Sequence, residues 1–173
     1  MCKSGLDFGN LQHCCGKEPN QVLDRLQEHA HCSFSIEEKV EMSDLVAYVD
    51  GGSLGNPGPS GIGVVIDGCE NGPLRIQKWI GHQDNNVAEY LALLEALQRA
   101  VAMNARALHV YSDSEIVVKQ MRGEYACRST RLYSLNWICR KLARSLEFSI
   151  SHVSRENNRE ANSLASTAAR NRI

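Results

Sequence analysis

Three carboxylates stand out by where they fall in the chain. Asp50 closes the strand-like stretch "LVAYVDGG", Glu89 sits near the start of the long apolar stretch "NVAEYLALLEALQRAVAM", and Asp113 ends "ALHVYSD". Acids at the ends of elements in an α/β chain can converge if the strands carrying the first and third are neighbours and the helix packs over them. Carboxylates brought together repel unless a cation neutralises them, so hard divalent ions such as Mg²⁺ or Mn²⁺ are their natural partners. Two such ions about 3.5–4 Å apart are a device for phosphodiester hydrolysis, one activating water and the other stabilising the leaving oxygen. Plainer readings stand beside this one. An Asp before Gly51 and Gly52 is ordinary turn chemistry, and with Asn86 as N-cap, Asn-x-x-Glu makes Glu89 part of a variant capping box.

The elements that must position these acids follow from periodicity. "LVAYVDGG", "GIGVVIDG" and "LRIQKWIG" read as three strands joined by Gly/Pro/Asn turns, an antiparallel meander. The stretch around Glu89 is apolar on most of its circumference, which predicts a core helix. "ALHVYSD" is a strand, "SEIVVKQMRG" a short helix ended by Gly123, and "RLYSLNWICRKLARSL" a helix with apolar Leu132, Leu135, Ile138 and Leu142. "EFSISHV" is a fifth strand and "REANSLASTAARN" a closing helix. The order βββαβααβα predicts an α/β domain on a mixed five-stranded sheet flanked by helices, three strands antiparallel and then two parallel.

The 173 residues, 43% hydrophobic, suit one globular domain over residues 45–173 preceded by a small appendage over residues 1–43. That appendage is acidic, with short helices expected in "EPNQVLDRLQEHA" and "SFSIEEKVEM". Its Cys2, His13, Cys14, Cys15, His29, His31 and Cys32 invite a zinc reading, but adjacent Cys-Cys and His-Cys pairs match C-x₂-C spacing poorly. Seven cysteines without framework spacing are expected to be reduced thiols. The sequence holds no apolar run long enough to span a membrane and its first residues lack a signal-peptide pattern, so a cytoplasmic protein is expected. Charge is uneven. Residues 1–44 carry 4 Lys/Arg against 8 Asp/Glu and residues 119–173 carry 11 against 4, which suggests a polyanionic partner for the C-terminal third, or else a solvated basic helix face.

Four ordered stretches, "YVDGGSLGNPGPSGIGVVI", "NNVAEYLALLEAL", "VYSDSEIVVKQM" and "HVSRENNREANSLA", resemble the motifs of type 1 ribonuclease H, over about residues 45–170. The resemblance implies the ribonuclease H-like fold. It also implies hydrolysis of the RNA strand of an RNA/DNA hybrid, with two divalent ions held by Asp50, Glu89, Asp113 and a fourth position, leaving 3′-hydroxyl and 5′-phosphate ends. The fourth position is Asn162, a neutral amide where relatives carry an acid. Its carbonyl oxygen can still coordinate a hard cation, so weaker hold on one metal is expected. A protein that binds hybrid without cleaving it is the alternative.

The resemblance further implies that His152, ten residues before Asn162, shuttles protons or assists product release; the bland alternative is a histidine at a strand end. Main-chain groups at Gly51 and Gly52, with Asn56, Asn85, Asn86 and Glu115, match positions at which the family touches the hybrid's minor groove and 2′-hydroxyls. Glu115 stands where a neutral Gln is common. The family's basic protrusion is not evident, leaving Arg128, Arg131, Arg140, Lys141 and Arg144 to meet phosphates. A monomer is expected.

Overall fold

The computed structural model describes residues 43–173. The helices expected in the appendage and its Cys/His cluster lie outside the described residues. The elements run β1 (Asp44–Ser53), β2 (Gly58–Asp67), β3 (Leu74–Gln83), α1 (Asn85–Ala102), β4 (Ala107–Ser112), α2 (Glu115–Arg122), α3 (Thr130–Ala143), β5 (Glu147–His152), a 3₁₀ turn (Arg155–Asn158) and α4 (Arg159–Asn171). The sheet order is β3-β2-β1-β4-β5. β1 pairs antiparallel with β2 and β2 with β3, whereas β4 runs parallel to both β1 and β5. The expected fold is therefore the one observed, and β1 and β4 are neighbours.

Strand alternation explains the layering. Leu45, Ala47 and Val49 on β1 and Leu108 and Val110 on β4 point to one face and are buried. α1 covers that face with Tyr90, Leu93 and Leu97, each fully buried and each large side chain contributing about 1.5–3 kcal/mol. α4 lies against β2, β1 and β3. It approaches so closely that a Cβ at Gly63 would stand 2.1 Å from the Ala161 carbonyl oxygen, and one at Gly61 2.5 Å from that of Ala165. Two glycines on β2 thus let an Ala-rich helix settle backbone to backbone, which fixes the height at which α4 starts.

One local expectation changes. α1 is capped by Asp84, whose carboxylate accepts from the Val87 N–H at 3.0 Å, and not by Asn86. An Asp two residues earlier in the extended conformation satisfies the same orphan donors, so Asn85 opens the helix and Glu89 falls beyond the capping box. On α3 the buried side chains are Leu132, Asn136 and Cys139, while Ile138 is 37% exposed. The buried row follows the i, i+4, i+7 face, and Asn136 is tolerated there because its Nδ2 donates to the Tyr90 hydroxyl at 3.0 Å, which itself donates to Gln120 Oε1 at 2.6 Å. This buried chain ties α1, α2 and α3 together. Gly123 does end α2, in the left-handed conformation at φ 81°.

Candidate active site

Asp50 is the seventh residue of β1, on the face opposite the α1-covered core, and is 8% exposed. Its neighbour Gly51 decides what stands beside it. A Cβ there would lie 2.1 Å from the Ala88 carbonyl and 2.3 Å from the Glu89 nitrogen, so only glycine lets β1 touch the backbone of α1 at the point where Glu89 projects. Gly52 has nothing within 4 Å of its missing side chain and faces open space. The glycine pair therefore divides its work, one position packing a helix and the other leaving backbone open.

Asp113 follows the last residue of β4, where the parallel pairing of Val49 with Ser112 brings it level with Asp50. Asp50, Glu89 and Asp113 line one cavity of about 600 Å³ with Gly51, Gly52 and Asn85, and His152 reaches it from the end of β5. Burial, and then the charge of Asp113, pushes the Asp50 carboxyl up to about 7. Burial likewise pushes Glu89 up to about 8, only partly offset by the Ser114 hydroxyl, with Asp50 and Asp113 adding to the rise. Glu89 Oε1 accepts from Asn85 Nδ2 at 3.1 Å, but its Oε2 is shut off from solvent and finds no partner among the described residues. Carboxyls pushed up by burial and mutual repulsion, one of them with an unpartnered oxygen, are groups that a cation would stabilise.

The fourth position is arranged differently. Asn162 is buried, and its Nδ2 donates to the Asn158 carbonyl at 2.8 Å and to Asp113 Oδ2 at 3.3 Å. A backbone carbonyl only accepts, so the atom facing it must be nitrogen and the amide orientation is fixed. Asn158, 1% exposed, donates through Nδ2 to Asp113 Oδ1 and to the Val49 carbonyl, both at 2.9 Å, while its own Oδ1 is buried without a partner among the described residues. Asn162 does not line the cavity; it stands behind Asp113. Among the described residues no three His, Cys, Asp or Glu side chains are gathered tightly enough to cage one ion as they stand. The donor chemistry and the orphaned Glu89 oxygen nonetheless fit a divalent ion.

The other substrate positions fall around this centre. Asn56 Oδ1 accepts from the Asn85 N–H at 3.2 Å, so the β1–β2 turn and the start of α1 are joined. Asn86 is exposed, and Glu115 pairs with Lys119 across one turn of α2, which holds its carboxyl below the usual range. Asn56, Asn86 and Glu115 lie outside the cavity wall. Arg131 is paired with Asp84 while its side chain stays 64% exposed, and Arg140 donates to the Gln120 carbonyl. Sequence reasoning passed over Arg155, Ser166 and Arg170, which do line the cavity. Arg155 was visible inside "HVSRENN", but a lone Arg has no spacing signature. Ser166 and Arg170 could have been found by following α4 one and two turns past Asn162.

A family profile described as Reverse transcriptase-like matches residues 48–168. The chain belongs to this family, on a ribonuclease H fold. Ribonuclease H1 of the archaeon Halobacterium salinarum shares the structure with TM-score 0.70 and 34% identity, over 74% of this chain and 98% of that one. A second neighbour is LC11-RNase H1, whose structure is in complex with an RNA/DNA hybrid (TM-score 0.69, 32% identity, 75% of this chain and 99% of that one). The bifunctional protein Rv2228c of Mycobacterium tuberculosis is 35% identical over 127 residues, 72% of this chain, and this chain spans only 35% of its length. No described helix is long and apolar enough to cross a membrane. Among the described residues Cys69, Cys127 and Cys139 form no disulfide.

Proposed function

We propose that the protein is an endoribonuclease that hydrolyses the RNA strand of RNA/DNA hybrids, leaving 5′-phosphate and 3′-hydroxyl ends. The observation that carries this reading is the convergence of Asp50, Glu89 and Asp113 from three different elements in one cavity, two of them pushed up and one with an orphaned oxygen. The membership of the ribonuclease H family supports it. Asp50, Glu89 and Asp113 would hold two divalent ions, Mg²⁺ or Mn²⁺; Asn162, whose Nδ2 is committed to Asp113 and the Asn158 carbonyl, would join them as a neutral fourth ligand only by turning Oδ1 into the cavity. Bound there, the ions supply a water ionised near neutral pH and charge stabilisation at the leaving oxygen.

The chain's own groups do the rest. Asp50 and Glu89 give up their protons to become ligands, so metal binding releases protons and strengthens as pH rises through about 7 to 8. Water oxygen bonds to phosphorus, the P–O3′ bond breaks, and the leaving 3′ oxygen takes a proton. His152, exposed and lining the cavity, would deliver that proton or help the product leave. The open backbone at Gly52, with the amides of Asn56 and Asn85, would read 2′-hydroxyls that donate and accept, which selects RNA over DNA. The reading carries with it a monomeric, cytoplasmic protein.

The turned-away Asn162 amide favours a second reading, a domain that binds hybrid without cutting. Hybrid cleavage with Mg²⁺ and with Mn²⁺ by the wild type and by Asp50→Asn separates the two. Cleavage lost in Asp50→Asn supports the nuclease. No wild-type product in either metal, with binding that persists in EDTA, supports the second reading and sinks the first.

A further inference from the structure

Building on that reading of the acids, we propose that Asn158 is a positioning residue of the metal site, tying Asp113 to the strand that carries Asp50, with Asn162 holding the other oxygen of the same carboxylate. The amide Nδ2 of Asn158 makes two bonds of 2.9 Å, one to Asp113 Oδ1 and one to the carbonyl of Val49, the residue next to Asp50. One planar group therefore spans β1 and the end of β4 at the point where two acids must keep a set separation. Asn162 adds the second donor, on Asp113 Oδ2, and is itself held by the Asn158 carbonyl. Both oxygens of Asp113 thus carry an amide N–H, and both amides come from one turn of chain leading into α4.

The plain alternative is that Asn158 only straps α4 to the sheet. Two features speak against it. A strap would spend both ends of its amide on backbone, yet Asn158 leaves Oδ1 buried with no partner among the described residues and turns its donor to a carboxylate. Helix α4 is already seated on β2 through Gly61 and Gly63 and linked to β3 by the Arg75–Glu160 pair, so it does not depend on this amide for docking. Partners that orient ligating carboxylates typically change metal affinity 10–100-fold when removed.

The test is calorimetric titration of Mn²⁺ into wild type, Asn158→Ala and the shape-preserving Asn158→Asp, together with hybrid cleavage across Mn²⁺ concentrations. We expect Asn158→Ala to bind Mn²⁺ about tenfold or more weakly. Its cleavage rate should recover at high Mn²⁺, and KM for hybrid should stay at the wild-type value, because Asn158 does not reach the cavity. Asn158→Asp keeps the size but loses the donor and adds a charge beside Asp113, so it should shift metal binding even if the alanine variant folds poorly. Mn²⁺ affinity within about twofold of wild type in the folded variants overturns the proposal, as does a rate deficit that excess Mn²⁺ leaves unchanged. A wild type that binds no Mn²⁺ overturns it together with the metal reading beneath it, whereas normal wild-type binding with unaltered variants overturns the proposal alone.

Discussion

The two sides of the site are built on opposite principles. On the β1–α1 side, Asp50 and Glu89 are forced together by the contact that Gly51 permits, and burial and repulsion push them up to about 7 and about 8. On the β4–α4 side, Asp113 has an amide donor on each oxygen, from Asn158 and Asn162. Electrostatic stress is concentrated where a cation would relieve it. Asn162 falls on the side already satisfied, where a neutral amide adds a donor to Asp113 and no further repulsion.

The largest effect should come from the stressed side. Asp50→Asn is expected to lower hybrid cleavage by about a thousandfold or more, the scale of losing several kcal/mol of charge stabilisation, measured in single-turnover assays. An Asp50→Asn protein that cleaves at the wild-type rate would break the distinction between the two sides. Next is the contact that creates the stress. Gly51→Ala must displace the α1 backbone and should cost about 3 kcal/mol or more by urea unfolding, whereas Gly52→Ala should stay within about 0.5 kcal/mol and weaken hybrid binding instead.

The pH dependence of stability tests the stress itself. Asp50 and Glu89 have folded values raised above their ordinary ones, so the folded state binds protons more tightly than the unfolded chain. Their contribution is complete below the ordinary carboxylate range and is lost as pH rises through about 7 to 8. Thermal unfolding in EDTA should therefore show a falling midpoint between about pH 5 and about pH 8, and saturating Mg²⁺ should flatten the fall; a flat profile in EDTA would remove the stress from the account. The smallest effect belongs to the satisfied side. Asn162→Asp should raise Mn²⁺ affinity about tenfold in calorimetry while lowering the metal-free melting midpoint by about 3 °C, since it exchanges a donor for a like charge next to Asp113. Movement of both quantities in one direction would contradict the arrangement of amides around Asp113.

Much of this was legible in the chain. Alternation in "LVAYVDGG" put Asp50 on the first strand, although that strand runs on through the glycine pair to Ser53 and does not close at Asp50, and the pair announced a close approach, although not that Gly51 would meet a helix and Gly52 open space. The apolar circumference of α1 gave a core helix, but its start depended on Asp84, a residue whose capping role competes with those of Asn85 and Asn86 in the same sequence. Ile138 fits the apolar pattern of its helix yet is 37% exposed, because apolar residues look alike in a pattern, while Asn136 is buried through a partner, the Tyr90 hydroxyl, that lies 46 residues away. Asn158 escaped notice for the same reason. Its partner Val49 is 109 residues distant.

The sequence by itself determined the element order, the three acids and the presence of an amide at position 162, because periodicity and residue type are local properties. Only the tertiary structure decided that Glu89 would hold a buried orphaned oxygen, that Asn158 would join β1 to Asp113, and that the Asn162 nitrogen would face Asp113. The reason is physical. Burial and the direction of a hydrogen bond depend on groups brought together by the crossing of strands and helices, and no neighbour along the chain carries that information.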